Sequence, residues 1–328
     1  MDFSVVIPSR NRPALLREAV ASVLAQTHSN REILIVNDGS APEHLADYQA
    51  IAAQTPDVIR LITLETTQNG HGPSYAINRG AEAATGRYLC FLDDDDSWTD
   101  PQHLARAWVA LTQVSPAADY YLSNQKAFTP EGIVTEPLWL ESLAAVIPRH
   151  AAADPAGVSD VALELLMTAS AFPHLNNMIV ERALYASIGG MDENIRYECE
   201  WDLYFRILDR ARRVRYYPGI VSRHNVPDRS RTVNASTAVS PPQKLLFRAI
   251  VMDKALLNAS APAIRTAARQ VKLVTYKNLA RSLHTSGKLD TAWLYARQAL
   301  GLSATPKWLV YCLYLGLLKI ASTFTSAK

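Results

Sequence analysis

The chain has 328 residues, 48% hydrophobic and 20% charged, which supports a sizeable packed core and argues against disorder. Its three cysteines, Cys90, Cys199 and Cys312, lie far apart without a CxxC pair. That excludes a disulfide scaffold and a Cys-rich zinc module, and it suits a reducing compartment. The net charge of +2 hides an asymmetry: Gln243 to Lys328 carries 13 Lys/Arg against two acids, leaving 20 basic and 29 acidic residues in 1–242. The acidic body is a poor match for nucleic acid, and the basic tail has no recognisable nucleic-acid motif.

The N-terminus lacks a basic segment and a long apolar run, so no secretory signal is expected from it. Phe3–Pro8 reads as a buried strand, and a helix follows from Pro13, with Leu16, Ala19, Val20 and Val23 at helical spacing. Glu32–Val36 is a second strand, ended by the turn Asn37-Asp38-Gly39-Ser40. A helix around 42–54, a strand at Val58–Leu64, a helix at Pro73–Ala84 and a strand at Tyr88–Leu92 come next. This alternation predicts an α/β fold with a largely parallel sheet, whose ligands bind beyond the carboxyl ends of the strands. Those ends carry Ser9-Arg10-Asn11, Asp38-Gly39-Ser40 and Asp93–Asp96.

After about residue 130 the pattern loosens. It returns at Met178–Val180, a helix near 200–211 and a strand at Val214–Tyr217 before Pro218. Residues 243–322 read as wholly helical, with breaks near Ala261-Pro262, Ser286-Gly287 and Thr305-Pro306. Tyr276–Pro306 is faintly like one helix-turn-helix repeat without a second copy. The predicted division is 1–238, with halves at about 1–115 and 116–238, and a basic helical region at 239–328.

Four consecutive carboxylates at Asp93–Asp96 repel one another unless a cation or hydrogen-bond donors compensate. They are not needed to cap the next helix, because Asp100-Pro101 supplies a start of its own. Oxygen ligands of this kind suit Mg²⁺ or Mn²⁺ bound together with a substrate phosphate. The solvated-turn reading remains the alternative.

Val5-Val6-Ile7-Pro8-Ser9-Arg10-Asn11-Arg12, Ala25-Gln26-Thr27, Glu32–Ser40 and Gly86-Arg87-Tyr88-Leu89-x-Phe91-Leu92-Asp93-x-Asp95-Asp96-x-Trp98 occur in that order. Together, over roughly residues 1–235, they resemble the family 2 glycosyltransferases, inverting nucleotide-sugar enzymes of GT-A fold. The resemblance implies that Pro8, Ser9 and Arg10 border the nucleobase and that Asp38 bonds the base or ribose. It further implies that Asp93, with Asp94, faces the ribose, and that Asp95 of the Asp-x-Asp pair ligates Mn²⁺ or Mg²⁺ on the diphosphate. The segment from Asn69 through Gly72 to Asn78 matches the family's donor-side loop and helix, although its glycines also suit a plain turn. Ile77 stands where many members have Arg.

Inverting transfer needs a base for the acceptor hydroxyl. By resemblance, Gly189-Gly190-Met191-Asp192-Glu193 and Glu198-Cys199-Glu200-Trp201-Asp202-Leu203 form the acceptor side, with Gly190 and Trp201 lining it. Glu200 then occupies the base position and Cys199 that of a preceding acid. Glu198 is the first acid in another register, and Asp202 is a second candidate base. All three acids also suit a helix N-terminus. His224 resembles the C-terminal histidine that GT-A enzymes place on the metal or diphosphate, with Arg223, Arg229 and Arg231 near the leaving group.

The reading is a metal-dependent inverting transferase acting from a nucleotide sugar, UDP-linked, onto a glycan or lipid-linked acceptor in surface polysaccharide assembly. A nucleotidyltransferase and a non-catalytic nucleotide- or glycan-binding relative are the alternatives. The apolar stretch Trp308–Leu318 is too short to span a bilayer. With the basic charge of 243–328 it suggests a cytoplasmic protein held peripherally at the inner membrane face. A docked terminal helix or a homodimer interface would use the same features.

Overall fold

The computed structural model describes residues 1–135, 140–168, 172–226 and 239–325. The chain divides into two compact units, Met1–Arg231 and Thr232–Lys328.

The first unit opens with β1 (Phe3–Ser9), α1 (Pro13–Leu24), β2 (Arg31–Asn37), α2 (Pro42–Ala52), β3 (Ile59–Thr63), α3 (Pro73–Ala83) and β4 (Tyr88–Phe91). β5 (Ser97–Trp98), α4 (His103–Thr112), β6 (Tyr120–Phe128), β7 (Val134–Thr135), α5 (Glu141–His150), β8 (Ser159–Asp160) and α6 (Leu163–Leu166) follow. A 3₁₀ turn at Leu175–Asn177, β9 (Met178–Glu181), α7 (Arg182–Ser187), α8 (Cys199–Leu208) and β10 (Val214–Asn225) complete it. The helix expected from Asp100-Pro101 begins later, at His103. Asp100 instead braces its first turns, accepting from the Gln102 N–H at 2.9 Å and pairing with Arg106 at 2.6 Å.

The main sheet runs β3-β2-β1-β4-β9-β6-β10-β5. β3, β2, β1 and β4 are parallel, as the alternation predicts. β9 lies antiparallel to both β4 and β6, so the sheet is mixed. β1 and β2 read as continuous apolar runs because helices cover both faces of this part of the sheet. Gly80 shows how closely α3 lies on it, since a Cβ there would meet Val6 at 2.4 Å.

The strand expected to stop at Tyr217 continues to Asn225. Its pairing with β6 slips between Tyr216 and Ser222, around Pro218-Gly219. A proline without an N–H is tolerated at such a bulge, so the ladder resumes beyond it and carries His224 to the site end of the sheet.

The second unit contains α9 (Pro241–Asn258), α10 (Pro262–Thr285), α11 (Leu289–Leu302) and α12 (Pro306–Thr325). α11 packs through Ala292, Ala296 and Ala299 against Ala280 and Leu283 of α10 and Trp308, Cys312 and Leu315 of α12. Among the described residues no helix is long and apolar enough to cross a membrane.

Candidate active site at the strand ends

The acidic segment leaves β4 and turns at once, with Asp96 N–H bonded to the Asp93 carbonyl at 3.1 Å. The four side chains face different partners. Asp94 is 1% exposed and pairs with Arg12 at 2.5 Å; the same guanidinium reaches Asp95 at 2.8 Å. Asp96 is also buried, and both its oxygens are engaged. It accepts from Asn176 Nδ2 at 2.5 Å and the Asn225 N–H at 2.7 Å, and it meets His224 Nδ1 at 2.8 Å. Asp93 is the most exposed of the four, at 35%.

Arg12 is held in place by backbone geometry. Asn11 adopts a left-handed φ of 58°, uncommon outside glycine but tolerated by Asn. Asn11 Oδ1 accepts from the Ala41 N–H and its own N–H donates to Ser40 Oγ, each at 2.8 Å. The turn after β1 is thereby tied to the turn after β2, and Pro13 then starts α1. The N-terminal motif contains Arg12 but by itself gives it no role. The signal is present in the sequence, because four carboxylates need a cation and Arg12 follows a neighbouring strand at the start of α1.

On the other side, the 3₁₀ turn brings His174 between the two halves of the site. His174 Nε2 lies 3.6 Å from Asp93 Oδ2 and 3.6 Å from Glu200 Oε1. Its ring is 4.7 Å from that of His224. Asn176 donates to Asp96 and accepts from the Asp93 N–H at 3.0 Å. Sequence reading passed over His174 and Asn176, which sit in an irregular stretch before β9 without periodicity to mark them.

Burial organises the electrostatics. It pushes Glu200 up to about 7, although the Leu175 N–H bonds its carboxylate. It likewise raises Asp94 to about 7 against the pull of Arg12, and it raises Asp93 and Asp95. Asp96 goes the other way: burial would raise it, but the His224 hydrogen bond and charge outweigh that and hold it ionised. His224 is correspondingly raised above its ordinary value, burial being overcome by Asp96. Buried His174 is lowered.

Several expected donor and acceptor residues are brought to this end of the sheet but are already spoken for. Asp38 accepts from the His71 and Gly72 N–H groups at 2.9 Å each and meets His71 Nδ1 at 2.9 Å, so it braces the 69–72 loop. Arg10 donates to the Thr67 and Gln68 carbonyls of the same segment. Ser9 Oγ is 2.7 Å from Tyr48 OH, and Pro8 lies beside it on β1. Gly72 is the N-cap of α3 at φ 101°.

Asn78 is hydrogen-bonded to the protein through both ends of its amide. Its amide donates to the Met191 carbonyl and Glu193, and its oxygen accepts from Tyr185 OH and the Met191 N–H. It therefore clamps the Gly189–Met191 turn. Gly190 is part of the clamp: it holds φ 65°, and a Cβ there would meet Asn78 Oδ1 at 2.6 Å. Asp202 likewise has a protein partner. It is 3% exposed and paired with Arg206 at 2.7 Å, one turn along α8, and Arg206 also donates to the Ile188 and Gly190 carbonyls. That arrangement fixes the turn and leaves Glu200 as the α8 carboxylate beside Asp93 and His174. Trp201 stacks on Phe172 at 4.8 Å. Glu198, the N-cap of α8, is left-handed at φ 64°. Arg223 lies over Phe128 at 4.1 Å; Arg229 and Arg231 fall outside the described residues.

The mixed sheet, with its strand-end carboxylates and helical C-terminal region, is the architecture of the GT-A glycosyltransferases. It is similar to Staphylococcus aureus TarS 1-349 in complex with UDP-GlcNAc, with TM-score 0.66 and 16% identity over 92% of this chain and 81% of that one. It is also similar to a mannosyltransferase from Pyrobaculum calidifontis in complex with GDP-Man and Mn²⁺, with TM-score 0.58 and 17% identity over 98% and 86% of the chains. At these identities the likeness concerns the fold. Residues 4–129 match the family described as Glycosyl transferase family 2, and this segment of the chain is similar to that family.

Among curated relatives, an uncharacterized glycosyltransferase of Nostoc is 42% identical over 106 residues, 32% of this chain and 31% of the relative. The amylovoran biosynthesis glycosyltransferase AmsB of Erwinia amylovora is 38% identical over 99 residues, 30% and 32% of the two chains. The succinoglycan biosynthesis protein ExoW of Rhizobium meliloti is 38% identical over 125 residues, 37% of each. The chain spans about a third of the length of these curated relatives.

Proposed function

We propose that the protein is an inverting glycosyltransferase that moves a sugar from a nucleoside-diphosphate donor, UDP-linked, to a hydroxyl of a glycan or lipid-linked acceptor in polysaccharide assembly. The observation that carries this reading is the position of Glu200, joined to the acidic strand end through His174 at 3.6 Å from Glu200 and from Asp93. A carboxylate raised to about 7 by burial has a proton affinity matched to taking a proton from a sugar hydroxyl near neutrality. The names of the AmsB and ExoW relatives support a role in polysaccharide biosynthesis. The TarS complex supports a UDP-sugar as donor.

The residues fit a divalent cation. Carboxylate oxygens of Asp93, Asp95 and Asp96 lie within 4.8 Å of one another, and because burial raises Asp93 and Asp95, a cation bound there would favour their ionised forms. Asp93 and Asp95 would hold Mn²⁺ or Mg²⁺, with His224 contributing the ring nitrogen not tied to Asp96. When bound, such an ion stabilises charge on the departing diphosphate. Asp96, at 2.8 Å from His224 Nδ1, orients the ring for that task, and Arg12 supplies a cation at the same edge.

The test is release of nucleoside diphosphate from a panel of nucleotide sugars, with Mn²⁺, Mg²⁺ or EDTA and with a glycan acceptor mixture. Turnover with a UDP-sugar is expected, together with UDP binding by calorimetry that weakens with EDTA and in Asp95→Asn. UDP affinity indifferent to both would remove the metal from the proposal. Release of pyrophosphate in place of a nucleoside diphosphate would make the protein a nucleotidyltransferase.

A further inference from the structure

α12 is apolar on two opposite faces. Trp308, Cys312 and Leu315 pack inward. On the other side Leu309, Val310, Leu313, Tyr314, Leu317 and Ile320 are 46–68% exposed. Their spacing of three and four residues makes one continuous stripe along the helix. Scattered exposed apolar residues are ordinary, but an unbroken stripe marks a surface that is covered in use.

The surrounding charge says by what. Lys277 and Arg281 of α10 lie over the Trp308 ring at 5.3 and 5.6 Å, near the start of α12. Arg297 of α11 and Lys319 of α12 lie over Trp293 at 4.7 and 4.8 Å, beside the second half of the helix, where Trp293 also approaches Gly316. Lys319 also pairs with Asp290 at 2.9 Å and Lys272 with Asp253, which uses both acids. The other 11 of the 13 basic residues from Gln243 onward, among them Lys277, Arg281 and Arg297 beside the apolar helix, have no acid in this stretch to oppose them. Pairing with a second copy would bring two such fields together, which like-charge repulsion opposes. An anionic lipid surface instead complements the charge and accepts the stripe.

We propose that the outer face of α12 docks this protein on an anionic lipid bilayer, with the helix lying in the headgroup boundary. The proposal goes beyond the transfer reaction and does not rest on it. The helix lies along the surface and does not pass through: Lys307 and Lys319 are separated by about 18 Å of helix, against an apolar core about 30 Å thick. Leu313 and Leu317 supply apolar burial, while Lys277, Arg281 and Arg297 supply salt-sensitive attraction.

The experiment is co-sedimentation of the full chain with vesicles of mixed phosphatidylglycerol and phosphatidylcholine, or of phosphatidylcholine alone, at low and high salt. The protein should pellet with the anionic vesicles at low salt and be released by high salt. A Leu313→Asp/Leu317→Asp variant should lose more than about tenfold in vesicle partitioning. Its thermal unfolding should match the parent, because both side chains are exposed. A Lys277→Glu/Arg281→Glu variant, should the first misfold, is expected to lose the anionic preference. Parent protein that stays in the supernatant with anionic vesicles at low salt overturns the proposal. So does a lipid-free parent that sediments as a dimer and becomes monomeric on Leu313→Asp/Leu317→Asp, because a second copy then covers the face.

Discussion

The two units use charge in opposite ways. In Met1–Arg231 the decisive carboxylates are drawn inward: Asp94, Asp96 and Asp202 are nearly inaccessible, and each is answered by a named cation or donor. In Thr232–Lys328, among the described residues, Lys277, Arg281, Arg297 and Lys319 are laid over tryptophan faces beside an apolar helix. Burying a charge costs several kcal/mol and shifts its protonation, so it is useful where chemistry needs a tuned proton affinity. An exposed cation keeps its charge and acts at a distance, which suits attraction to a surface. Charge alone therefore says little about a unit until its burial is known.

The sharpest way to break this contrast lies inside the first unit, between two acids two residues apart on its own side of the divide. Glu200→Gln should lower sugar transfer by about 10²–10⁴-fold, the range for a general base, with UDP binding by calorimetry unchanged. Asp202→Asn should act on folding instead. It leaves Arg206 without its carboxylate and should cost about 3 kcal/mol in urea unfolding, with a smaller loss of turnover per folded molecule. If Asp202→Asn abolishes transfer in a fully stable protein while Glu200→Gln does not, the two roles must be exchanged.

A smaller effect tests how dry the first unit is. His103 is fully buried beside the rings of Trp98 and Tyr121, at 4.9 and 6.0 Å. Burial pulls its imidazole down from the ordinary 6.5 to about 3. The unfolded chain protonates this histidine first as pH falls, so it binds more protons than the folded one between about 6.5 and 3. Stability should decline across that window by up to about 1.4 kcal/mol per pH unit. His103→Leu should remove that part of the slope in urea midpoints measured from pH 7 to pH 4. An unchanged slope would mean that the imidazole is hydrated or protonated in the folded state.

The alternation of apolar runs with amphipathic helices determined the first four strands by itself, since strands covered on both faces carry apolar runs through most of their length. The ordered motifs likewise announced the polar strand ends and the carboxylate cluster. Composition separated the basic helices from the acidic body. Tertiary structure decided the rest. β9 enters antiparallel and β10 runs on past Pro218, because pairing partners, and not local propensity, set strand direction and length. His174 and Arg12 reach the carboxylates from distant parts of the chain, and no local spacing encodes such an approach. Asp38, Asn78 and Asp202 look in sequence like residues awaiting a ligand. The fold gives them protein partners, because a polar group enclosed without one costs more than the hydrogen bonds that satisfy it. Glu200 and Asp202 are both acids in the first turn of one helix, and only the arrival of Arg206 at one and His174 near the other tells them apart.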